Sequence, residues 1–91
     1  MLPTQQIDRI AARFEEIEAQ LAAGHGDIVK LSKERAQLKP VADALADYRA
    51  AEQERASLEQ MAADSDAEMA ALARDELEQV RTRLPELEHQ L

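Results

Sequence analysis

Cysteine and tryptophan are absent from this 91-residue sequence, and Phe14 and Tyr48 are its only aromatic residues. Without thiols there is no disulfide framework, no thiolate metal site and no cysteine nucleophile. The two glycines flank His25, so no glycine-rich phosphate loop can form. No apolar run approaches the roughly 20 residues that a membrane-spanning helix needs. The opening stretch MLPTQQIDRIAARF places Asp8 where a signal peptide has its apolar region. A reducing, cytoplasmic setting is therefore the default expectation.

What is present is helix-forming. Hydrophobic residues make up 45% of the chain, but 18 of them are alanine, and charged residues reach 33%. A chain rich in Ala, Glu, Gln, Leu and Arg suits long amphipathic helices far better than a sheet. The net charge of −8 divides as −2 over 1–26, −1 over 27–63 and −5 over 64–91. Such acidity opposes phosphate backbones over most of the surface. The local exception is Lys30, Lys33, Arg35 and Lys39, opposed within their window only by Glu34. The ordinary reading of that cluster is a solvated helix face.

Three apolar stripes predict three helices. Ile7, Ile10, Phe14, Ile17 and Leu21 step by three and four, which places a first helix at about 4–23. Thr4 is its expected cap, and Gly24-His25-Gly26 its stop. Asp27 caps a second helix, about 27–63, whose stripe runs through Ile28, Leu31, Leu38, Val41, Leu45 and Tyr48 to Leu58 and Met61. Pro40 interrupts the stripe without shifting its phase, so a kink near that residue is expected. At about 1.5 Å per residue this helix spans roughly 55 Å. A capping box of Ser65 and Glu68 opens a third helix, about 66–90, carried by Met69, Leu72, Leu77, Val80, Leu84, Leu87 and Leu91. Pro85 should bend that helix or end it early.

The expected fold is all-α: a short helix packed on a long antiparallel helical hairpin, elongated and coiled-coil-like, forming one domain over 1–91. The third stripe stops in full stride at Leu91 with no capping glycine, as in a truncated chain. Self-association through an open seam is one consequence of so thin a core.

Catalytic chemistry finds no support. Neither histidine stands at a triad spacing from a hydroxyl residue. His25 reads as an exposed turn residue, and His89 as a partner for the last helix carbonyls. Carboxylate pairs such as Glu15/Glu16, Asp75/Glu76 and Glu86/Glu88 are mostly solubilising, and Asp75 with Glu78 would need further ligands from a facing helix to hold a metal. No catalytic residue, cofactor or metal site is assigned.

Several stretches resemble the N-terminal domain of bacterial class I peptide chain release factors. They are RFEEIEAQL (13–21), LSKERAQLKPVADALADYRA (31–50), DSDAEMAALARDELEQV (64–80) and RLPELEHQL (83–91). They cover nearly the whole chain in the family's order, and LSKERAQL followed by proline is the most specific. The type reading UAA and UGA usually carries a tryptophan-containing segment where this chain has Gly24-His25-Gly26-Asp27. The resemblance is therefore to the type reading UAA and UAG.

The resemblance implies an interaction arm and no catalysis. The Gly-Gly-Gln loop that triggers peptidyl-tRNA hydrolysis and the codon-reading loop lie downstream in the family, and this chain has no Gly-Gly pair. The implied partners are the ribosome, through the full-length factor, and the release factor glutamine methyltransferase. If such a domain docks near ribosomal RNA, the expected contact is a partial stripe of Lys30, Lys33 and Lys39, with Arg35 projecting elsewhere. The alternatives are an unrelated helical-hairpin adaptor or oligomerisation module, and a small carboxylate metal-site protein.

Overall fold

The computed structural model describes residues 3–91. It contains helices α1 (Thr4–Ala23), α2 (Ile28–Ala62) and α3 (Ala67–His89), with no strand among the described residues. The architecture is all-α, as the three stripes predict. The helices distribute over two compact units, one built from the described residues up to Leu45 with Gln90 and Leu91, the other from Ala46–His89.

In the first unit, α1 begins differently from the sequence expectation. Pro3 (φ −59°, ψ 144°) holds the cap position without a side-chain bond, and the Ile7 amide donates to its carbonyl at 3.0 Å. Thr4 is thus the first helical residue rather than the cap. Proline's fixed φ suits the extended conformation that a cap requires, so no hydroxyl is needed. The helix ends at Gly24, whose φ of +71° is accessible to glycine at little cost. The Gly24 amide donates to the Leu21 carbonyl at 3.2 Å and the His25 amide to that of Gln20 at 2.9 Å. These bonds satisfy carbonyls that the helix end leaves open.

The turn at 24–27 folds α2 back onto α1. Asp27 then caps α2 by accepting the Lys30 amide on Oδ1 at 3.1 Å. Ile7, Ile17, Leu31, Ala44 and Leu45 are buried, with Ile10, Phe14, Leu21, Leu38 and Val41 half-buried around them. Ile28, counted in the sequence stripe, is 59% exposed. It is the first residue of α2, beside the glycine turn, where α1 has already ended.

α2 continues through Pro40. Pro40 cannot donate to the carbonyl four residues back, that of Ala36. Both residues are exposed, so water is available to the carbonyl that loses its partner.

In the second unit, Leu58, Ala73, Leu77 and Val80 form the core, with Ala62 and Leu84 packed against it. Ala51 and Ala70 are also buried. Two sequence expectations for α3 need correction. Met69 and Leu72 are 41% and 61% exposed, and Ala70 and Ala73 take the inward positions. Counting back from Leu77 at about 100° per residue, Ala73 and Ala70 stay within about 40° of it. Leu72 falls about 140° away. Small side chains let the helices approach, so geometry prevails over hydrophobicity here.

The cap is Asp66 rather than Ser65. Its Oδ1 accepts the amides of Glu68 at 3.0 Å and Met69 at 3.4 Å, while Asp64 Oδ1 accepts the Asp66 amide at 2.8 Å. Both residue types are good caps, but a carboxylate also gains from the helix dipole. Pro85 lies inside α3, which runs on to His89, so the proline does not end the helix early.

Candidate interaction surface

The lysine cluster begins where Asp27 starts α2. Lys30, Lys33 and Lys39 are all exposed, but they do not share a stripe. Nine residues are about two and a half turns, which puts Lys39 on the side of α2 opposite Lys30. The three-lysine stripe is therefore corrected to Lys30 with Lys33, and Lys39 apart. Lys39 Nζ also lies 2.5 Å from Asp43 Oδ2, an i,i+4 pair that already engages its charge. No ion pair engages the Lys30 or Lys33 ammonium among the described residues.

Arg35 is committed within the fold. Its guanidinium carbon stands 5.3 Å from the centre of the Phe14 ring, and Nη2 reaches Glu18 Oε1 at 3.3 Å. Beside it, Arg13 donates to both oxygens of Glu34, from Nε at 2.5 Å and Nη2 at 2.9 Å, and to Glu16 at 2.9 Å. The fork holds the Glu34 carboxyl below the usual carboxylate range, with Lys30 adding to the effect, and pushes Arg13 up. Planar bidentate pairing of this kind fixes orientation as well as charge. Spacing within one helix gives no sign of it, because Arg13 and Glu34 lie on different helices.

The second unit has its own ion pairs. Arg55 donates to Glu52 at 3.0 Å and Glu59 at 2.9 Å, and these bonds raise its pKa. Arg81 reaches Glu59 at 3.5 Å, and Arg83 reaches Glu54 at 2.9 Å, both joining α3 to α2. Burial pushes the Tyr48 phenol up, aided by the negative charges of Glu52 and Glu88. Each of these shifts has a structural cause, and none marks a paired acid and base.

No group of three or more metal-binding side chains occurs among the described residues. Asp75 and Glu78 line a shallow, open depression with Gln79 and Thr82, and the Thr82 hydroxyl is already donated to the Glu78 carbonyl at 3.0 Å. His25 lies exposed in the glycine turn, and His89 lies exposed in the last turn of α3. No described helix is long and apolar enough to cross a membrane. What the surface offers is charge and exposed apolar side chains.

The family model described as the PCRF domain matches residues 10–91. The chain is 44% identical over 92 residues to peptide chain release factor 1 of Caulobacter vibrioides, covering 99% of this chain and 25% of that protein. It is 43% identical over 93 residues to peptide chain release factor 1 of Dinoroseobacter shibae, covering 100% of this chain and 26% of that protein. With peptide chain release factor 1 of Erythrobacter litoralis the identity is 42% over 93 residues, covering 99% and 26%. The chain thus spans about a quarter of the length of the curated relatives it matches. No solved structure was found to match it.

Proposed function

The chain belongs to the PCRF domain family, and from that membership we propose that it is a non-catalytic domain of a translation termination factor. The observation that carries this reading is the match over 10–91 together with release factor 1 relatives aligned along nearly the whole chain. Its role is that of an interaction arm for the ribosome and for the methyltransferase that modifies the factor's glutamine. The codon type is the one reading UAA and UAG, supported by Gly24-His25-Gly26-Asp27 in place of a tryptophan-containing segment. Lys30 and Lys33 are the better candidates for phosphate binding, since Lys39 is paired with Asp43.

The test is a chimera in which this chain replaces the matching first quarter of one of those relatives. Peptide release at UAA and methylation of the chimera should both stay near the relative's own levels. The 91 residues alone should leave peptidyl-tRNA intact on ribosomes stalled at UAA. A chimera that neither terminates nor is methylated, though soluble and helical, refutes the reading. In the chimera, changing Lys30 and Lys33 to glutamine should lower the slope of ribosome affinity against salt by about one unit for each phosphate no longer neutralised. An unchanged slope removes the lysines from the interface.

A further inference from the structure

The second unit carries an apolar surface that its own fold leaves open. Met61, Met69 and Leu72 are 38%, 41% and 61% exposed, although each is a large hydrophobic side chain. They lie on one flank of the helix pair. That flank is marked by the Arg83–Glu54 bridge at 2.9 Å. Met61 follows Glu54 by seven residues, about two turns, and so continues the same side of α2. Leu72 precedes Arg83 by 11 residues, about three turns, and Met69 stands three residues before Leu72. The opposite flank, marked by Arg81 and Glu59 at 3.5 Å and by Arg55 between Glu52 and Glu59, is closed by ion pairs.

Apart from Arg83, which is paired with Glu54, the charges bordering this surface have one sign. Asp64, Asp66 and Glu68 lie exposed at the turn and the start of α3, and Glu76 lies four residues beyond Leu72. Arg74 is two residues from Leu72, about 200° round the helix, and so belongs to the other side. An RNA would bring phosphates against these carboxylates, and a second copy docked through the same surface would bring the same carboxylates. A cationic partner removes both conflicts. Methionine suits such a surface because its flexible thioether adapts to different apolar shapes.

We propose that Met61, Met69 and Leu72, bordered by Asp64, Asp66, Glu68 and Glu76, dock a basic amphipathic helix of a protein partner. The apolar side chains receive the partner's hydrophobic stripe, and its lysines or arginines meet the acidic border. This surface is distinct from the lysines of α2, and it rests on exposure and charge rather than on the termination reading.

The experiment measures fluorescence anisotropy of a dye-labelled 18-residue leucine–lysine amphipathic peptide titrated with the full 91-residue chain. A leucine–glutamate peptide of the same pattern and a short RNA hairpin are titrated alongside. The leucine–lysine peptide should bind, and Met69→Gln with Leu72→Gln together should weaken it at least about tenfold. Glu68→Gln with Glu76→Gln should flatten the salt dependence, whereas Glu78→Gln, three residues before Arg81 on the other flank, should change little. All these positions are exposed, and circular dichroism checks that each variant keeps its helix. Equal binding of the leucine–glutamate peptide overturns the proposal, as does lysine-peptide affinity that survives the double apolar variant. RNA binding abolished in that same variant, or self-association abolished in it, assigns the surface to another partner and equally overturns it.

Discussion

Replacing Leu77 with alanine tests the packing of the second unit most directly, with Leu72→Ala as its internal control. Both changes remove the same atoms from the same helix. Leu77 is 5% exposed and belongs to the cluster with Leu58, Ala73 and Val80, whereas Leu72 is 61% exposed. Losing the buried side chain forfeits about 0.8 kcal/mol per methylene, plus a cavity contribution that is small where surroundings can collapse. Its cluster is drawn from α2 and α3 and contains one alanine and few large side chains, so partial collapse is expected, and the cost should be about 2–3 kcal/mol. A chain of this length has a total stability of roughly 5–14 kcal/mol, so the loss is a large share of it. The midpoint of thermal unfolding should fall by roughly 10–20 °C. Leu72→Ala should stay within about 0.5 kcal/mol of the parent, since alanine is the better helix former and little burial is removed. Urea unfolding followed by circular dichroism at the helical band supplies both values. If Leu72→Ala costs as much as Leu77→Ala, α3 is rotated from the phase described, and the exposed Met69–Leu72 surface disappears with it.

Three further outcomes are expected. Gly26 has φ +80°, and a Cβ there would lie 3.2 Å from Leu31 Cδ1, while Gly24 at φ +71° has open space. Both Gly→Ala variants should lose about 1 kcal/mol or more to backbone strain, with Gly26→Ala the worse in urea unfolding; the reverse order refutes the turn's packing. Asp66→Ala should cost about 1 kcal/mol and Ser65→Ala nearly nothing, as the bonds to Glu68 and Met69 assign the cap to Asp66. The opposite ranking would restore the serine box. The Arg13 fork holds the Glu34 carboxyl below its usual 4.5, so its stabilisation is complete above that pH and disappears as pH falls through the lower, folded-state value. Arg13→Gln should therefore narrow the difference in melting temperature between about pH 7 and about pH 3, and an unchanged difference would show that the pair contributes nothing measurable.

Local order in this protein is legible from the chain because helices are set by near-neighbour chemistry. The i, i+3, i+4 stripe from Ile7 to Leu21, the glycines around His25 and the carboxylate of Asp27 all act within a few residues of themselves. Family membership was equally legible, since the stretch LSKERAQLKP is a matter of residue order alone. The phase of α3 was only half visible. Leu77, Val80 and Leu84 announce it, but Met69 and Leu72 draw the eye away from Ala70 and Ala73, whose small size is what close helix packing requires. The caps divide in the same way. Ser65 and Asp66 are both suitable by type, and only the path of the turn decides which oxygen meets the free amides. The tertiary structure alone brought Arg13 to Glu34 and laid Arg35 over Phe14, because such pairs join side chains about twenty residues apart across two helices. It also left Met61, Met69 and Leu72 uncovered, because what a helix face meets depends on the element packed beside it, which no local pattern specifies.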